Sequence, residues 1–176
     1  IQGGAGALAG LDRLHRDQRG HRGIGNAPGH GDGSGQAEGS VMAACKLCDK
    51  ATSTGRKVYV HTTDATQAES LDGALWSFRQ GSFIAHEKHH GQSHEDPQPL
   101  VLIGSMEPPE THHDIMINLS IEVPAFFSRF ERVLEIVDGD PGLRAKSRER
   151  FKFYRDRGYE LNTFEQNAEG GWAQKK

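Results

Sequence analysis

Cysteine is scarce: two in 176 residues cannot build a disulfide framework. No apolar run approaches the ~20 residues needed to cross a bilayer, and no basic-then-apolar signal pattern opens the chain. A soluble protein of the cytoplasm, without a membrane partner, is the expectation. Residues 1–40 contain no Val, Phe, Tyr, Trp or Met, yet hold 12 of the 22 glycines. Such a segment has too little apolar area to offset chain entropy. It reads as a disordered Gly-rich leader, or as a non-native one translated from a wrong start or reading frame. Gly4, Gly6 and Ala9 mimic a dinucleotide loop, but no strand precedes them and no acidic residue follows at ribose distance. No phosphate loop, HExxH, nucleophile motif or paired-carboxylate motif is present elsewhere. No intrinsic catalysis, cofactor or metal is therefore expected.

What remains, from Val41 on, has ordinary globular composition. Net charge is −3 for the chain, but residues 141–159 carry seven basic side chains against two acidic ones. An acidic body with one basic segment lacks the broad cationic face that wraps duplex DNA. It suits a local site for an anionic partner.

Val41, Ala44, Cys45, Cys48 and Ala51 recur at helical spacing, and Gly55 offers a left-handed stop. Val58–Thr62 reads as a buried strand. Asp64 and Gln67 form a capping box for a helix with the stripe Ala68, Leu71, Leu75, Phe78. Ser82–Ala85 reads as a brief strand and His86–Gln98 as a polar loop. Leu100–Gly104 and Ile115–Leu119 are continuous apolar runs, typical of strands covered on both faces. A short helix at 124–130 and a strand at Arg132–Val137 follow. Asp140-Pro141 then starts a helix that should stop at Gly158. This alternation predicts an α/β fold: a three-layer, Rossmann-like domain with a mainly parallel sheet and no nucleotide site. The domain spans residues 41–164, and 165–176 reads as a flexible tail.

Cys45-Lys-Leu-Cys48 lies within a helical apolar stripe and lacks a second ligand pair, which favours core packing over zinc or redox work. His86, His89, His90, His94, His112 and His113 cluster in polar sequence; a surface loop is favoured over a metal site there. In the last helix Arg144, Arg148, Phe151 and Arg155 fall at i, i+4, i+7 and i+11 and share one stripe. Arginine forks grip carboxylates bidentately, and a ring among them packs an apolar side chain. The stripe is either a solvated basic face or a site for a short acidic peptide ending in an aromatic residue. Direct nucleic-acid binding by the same helix is the alternative.

The segments GRKVYVHTTDATQAESLDGALWSFRQGSFIAH, HHDIMINLSIEVPAFFSRFERVLEIVD and RERFKFYRDRGYELNT, in that order, resemble the chi subunit of bacterial DNA polymerase III holoenzyme. The resemblance covers roughly residues 41–164. It implies a non-catalytic accessory role in DNA replication. Chi subunits link the clamp loader, through the psi subunit, to single-stranded DNA-binding protein, so contact with DNA is mainly indirect. It further implies that Arg144, Arg148 and Phe151, with Val137 as an apolar wall, hold the acidic, Phe-terminated tail of single-stranded DNA-binding protein. Arg144 stands where some relatives carry lysine, and Phe151 where they carry tyrosine. Trp76 and Phe83 match positions used for psi, or for an alternative helicase partner. Chi chains open with a short aromatic-rich strand directly before the first helix; nothing in residues 1–40 resembles it.

Overall fold

The computed structural model describes residues 7–12, 33–79, 81, 83–137, 141–166 and 171–174. Its elements in chain order are β1 (Ala7–Asp12), α1 (Gly33–Thr52), β2 (Val58–His61), α2 (Ala65–Ser77), β3 (His86–Lys88), β4 (Val101–Gly104) and β5 (Ile115–Asn118), then a 3-10 turn at Phe127–Arg129, β6 (Arg132–Val137), α3 (Pro141–Asp156), β7 (Glu160–Gln166) and β8 (Trp172–Gln174). One sheet contains the eight strands found among the described residues, in the order β3-β4-β2-β5-β6-β1-β7-β8. Pairs from β3 through β6 are parallel, and those involving β1 and β8 are antiparallel.

The continuous apolar runs become central strands because both their faces are covered. Val58, Val60, Val101, Ile103, Ile115, Ile117, Leu134 and Ile136 point to α1 and α2, where they meet Ala44, Cys45, Leu47, Leu71 and Leu75. Alternate residues Tyr59, Leu102, Met116 and Val133 point the other way, to Phe130 and to Tyr154 of α3. Period-two alternation on twofold-covered strands thus builds two cores and three layers.

Local signals act as expected. The Asp64 Oδ1 accepts the Gln67 N–H at 2.9 Å, and Gln67 Oε1 returns to the Thr63 N–H at 2.8 Å. Gly55 and Gly158 take φ of 75° and 80° just after α1 and α3, a conformation costly for other residues.

Four features depart from the sequence reading. Within residues 1–40, Ala7–Asp12 forms a strand and α1 begins at Gly33; residues 1–6 and 13–32 lie outside the described residues. Strand β1 needs no aromatic or β-branched side chain, because pairing uses backbone groups every residue carries. It lies between β6 and β7, running antiparallel to both. The strand expected at Ser82–Ala85 instead occupies His86–Lys88, within the segment expected as a loop; Ser82 itself lies outside the described residues. There β3 pairs with the β4 edge while His86 and Lys88 lean on Asp72 and Glu69 of α2. The short helix reduces to a 3-10 turn. The closing residues, expected as a flexible tail from 165, include the end of β7 and all of β8, and Trp172 packs against the α1-side core.

Candidate partner-binding surfaces

The inward face of α3 is polar. Ser147, Arg150 and Tyr154 are its buried residues, and they close on Glu135, a carboxylate inside the apolar strand β6. Glu135 accepts hydrogen bonds from Arg150 Nε at 2.9 Å, Tyr154 Oη at 2.6 Å and Asn118 Nδ2 at 2.8 Å. The remaining Arg150 donors reach the Ile121 carbonyl at 2.8 Å and Ser147 Oγ at 3.1 Å. Burial pushes the Glu135 carboxyl up, while the Arg150 charge and the Tyr154 and Asn118 bonds pull it down. Tyr154 is raised by burial and by the neighbouring carboxylate. Such a fully satisfied network sets the rotation of α3 on the sheet.

That rotation decides what the rest of the helix presents. At about 100° per residue, the stripe Arg144, Arg148, Phe151, Arg155 lies roughly a quarter-turn from the buried ridge. Arg148 and Arg155 are exposed, and Arg144 and Phe151 are half-buried. Val137, the last residue of β6, shares the sheet face of Val133 and Glu135, under α3, and is also half-buried. Asp138 to Asp140, between them, lie outside the described residues.

The basic run is less available than its composition implies. Arg150 is committed to Glu135 inside the protein. The guanidinium of Arg157 lies 3.4 Å from the Phe153 ring centroid. Lys146 pairs with Glu149 at 3.4 Å, and Arg155 with Asp156 at 3.6 Å. Among the described residues, Arg148 and Lys152 make no ion pair. Sequence reasoning counted Arg150 with the surface charges. The signal it passed over is Glu135: a carboxylate within RVLEIV demands a buried partner.

At the far edge of the sheet, four strand spacings or ~19 Å from β6, α2 and β3 carry an aromatic patch. Trp76 is 63% exposed and Phe83 70%. Their ring centroids lie 5.4 Å apart, and the His86 ring stands 5.0 Å from Trp76. His86 Nδ1 donates to the Ile84 carbonyl at 2.7 Å and its Nε2 lies 3.3 Å from Asp72.

The other candidates resolve into structure. Cys45 and Cys48 are fully buried and free. Burial pushes the Cys45 thiol up to about 12 and raises Cys48 as well, which disfavours the thiolate that zinc or disulfide chemistry needs. The histidine cluster is only partly a surface loop. His89 and His112 are buried, and the side chains of His86 and His94 are nearly so. His89 Nε2 donates to the Glu107 carbonyl at 3.0 Å, and His112 Nε2 to that of Pro99 at 2.9 Å. Ligand atoms of His113, Asp114 and Glu131 gather within 4.8 Å. Asp114 already accepts the Lys57 N–H and Glu131 pairs with Arg56. No helix among the described residues is long and apolar enough to cross a membrane.

Comparison with known proteins places these surfaces in context. The chain is 43% identical over 121 residues to the DNA polymerase III subunit chi of Pseudomonas aeruginosa, covering 69% of this chain and 82% of that protein. It is 29% identical over 120 residues to subunit chi of Haemophilus influenzae, covering 68% and 83%. It is also 29% identical over 119 residues to subunit chi of Escherichia coli K12, covering 68% and 80%. The family-wide profile described as "DNA polymerase III chi subunit, HolC" matches residues 36–162, a span that includes β2 through β6, α3 and both surfaces just described. This chain belongs to the chi subunit family of DNA polymerase III.

Proposed function

We propose that this chi-family chain is a non-catalytic tether in DNA replication, one that holds the acidic, Phe-terminated tail of single-stranded DNA-binding protein on the outer stripe of α3. Arg148 and Arg144 grip the tail's carboxylates, and Phe151 with Val137 receives its terminal ring. The observation that carries this reading is Arg148: exposed, without an ion pair among the described residues, and one turn from the half-buried Phe151. Trp76 and Phe83 form the second contact, for the psi subunit of the clamp loader or for an alternative helicase. The ~19 Å between the two surfaces leaves room for both partners at once. Contact with DNA is indirect, and no cofactor is required.

The gross interaction energies are of the order that a weak, micromolar complex draws on. Burying one Phe side chain is worth about 1.5–3 kcal/mol, and each charge-assisted hydrogen bond about 1.5–3 kcal/mol before ordering costs. A micromolar complex needs about −8 kcal/mol. Direct nucleic-acid binding by α3 is the weaker reading because Arg150 is withdrawn into the protein and the other cations are partly paired.

The test is fluorescence anisotropy with a labelled acidic peptide ending in Phe. Arg148→Ala or Phe151→Ala should weaken binding at least tenfold, and rising salt should weaken it further. Unchanged titrations for both variants refute the assignment. Tighter binding of a bare oligonucleotide than of the peptide, with a steep salt slope, would favour the alternative.

A further inference from the structure

On the opposite face of the sheet from α3, a cavity of about 330 Å³ opens between the C-terminal end of α1 and the strands β6, β7 and β8. Its size falls in the range of small-molecule sites. Leu47, Leu134, Phe164 and Trp172 form an apolar lining.

The polar part of the wall is one-sided. Lys50, Arg56 and Arg132 line the cavity together with Thr54, and among the described residues no acidic side chain does. Arg56 is engaged by Glu131 at 3.0 Å, while exposed Lys50 has no ion pair among the described residues. Thr54 spends its hydroxyl proton on the Ala51 carbonyl at 2.8 Å. The indole nitrogen of Trp172 is buried and has no acceptor among the described residues. A buried N–H without a partner is costly and rare in folded proteins. An apolar wall, a cationic rim and an N–H without an acceptor among the described residues all select the same ligand chemistry.

We propose that this cavity is a binding site for a small amphipathic carboxylate, with its apolar body against Phe164 and Trp172 and its oxygens toward Lys50 and the Trp172 N–H. The site lies on the other side of the sheet from Arg148 and does not depend on the proposed tail contact.

The chain has two tryptophans, so its proton–nitrogen NMR spectrum holds two indole N–H signals, and Trp76 on the distant aromatic patch serves as internal control. Titration with 4-phenylbutyrate should shift the Trp172 signal saturably in the low-millimolar range and leave Trp76 in place; Trp172→Phe identifies the signal. The neutral analogue 4-phenylbutanol should bind at least fivefold more weakly. Lys50→Glu, a change at an exposed position, should weaken phenylbutyrate at least fivefold, whereas Arg148→Ala should leave it unchanged. No saturable shift, equal shifts of both indoles, or indifference to Lys50→Glu would each overturn the proposal. A Trp172 response to the acidic tail peptide but not to phenylbutyrate would overturn it too.

Discussion

Removal of the Arg150 side chain should be among the costliest single changes in this protein. Arg150→Ala leaves Glu135, only 3% exposed, without its counter-charge, and deletes donors that reach Glu135, Ile121 and Ser147. Breaking a buried ion pair by deleting one partner costs about 3–5 kcal/mol, against a total stability of about 5–15 kcal/mol for a domain. For a chain of this size that corresponds to a fall in Tm of about 6–20 °C. Urea denaturation followed by circular dichroism would measure it. The cost should shrink on acidification. Without the Arg150 charge, burial holds the folded-state pKa of Glu135 above its ordinary value of 4.5, so stability is lost as pH rises above that value and regained as it falls. The double variant Glu135→Leu/Arg150→Met, which removes both charges, should be markedly more stable than Arg150→Ala. A cost below about 1 kcal/mol for Arg150→Ala, or additivity across the corresponding double-mutant cycle, would refute the claim that this pair sets α3 on the sheet.

Two further outcomes follow from the packing. A Cβ added at Gly104 would lie 2.6 Å from the His89 carbonyl oxygen and 3.0 Å from Tyr59 Oη, so Gly104→Ala should cost about 1–3 kcal/mol. Hydrogen exchange should show first the loss of the His89 N–H bond to Ile103; Gly73→Ala, with nothing within 4 Å, should stabilise by about 0.5–1 kcal/mol. Burial lowers the pKa of His61, His89 and His112 below the ordinary 6.5. The unfolded chain therefore takes up protons first on acidification, and Tm should fall as pH drops below about 6.5. A Tm that is flat or rising from about pH 7 to about pH 5.5 would contradict this, and His112→Gln should reduce the slope.

The parts of the fold legible in the sequence are those where side chains dictate the outcome. The apolar runs at Val101–Gly104 and Ile115–Asn118 are of the kind typical of doubly covered strands, and Asp64 with Gln67 has the spacing of a box that opens a helix. The cysteines at helical spacing belong to the core that their period implied. The parts that were not legible are those made by the backbone or by distant partners. Ala7–Asp12 and His86–Lys88 have no strand signature of their own; each is a strand because an adjoining edge offers a full ladder of backbone groups. Arg150 shows the same limit at the candidate site. Spacing put it one turn from Lys146, among surface cations, and only the position of Glu135 four strands into the sheet order distinguishes it from them. The stripe of Arg144, Arg148 and Phe151 was legible because a helix keeps its own register.

The location of β1 has a consequence for biosynthesis. Its slot is bounded on one side by β6 and on the other by β7, so Ala7–Asp12 must await strands more than a hundred residues further along. Contacts of such long sequence separation form slowly, and during translation the two borders stay unsealed until β6, and after it β7, has left the ribosome. Until β7 emerges, a nascent chi-family chain of this design offers the open edge beside β6 to strand invasion by its neighbours.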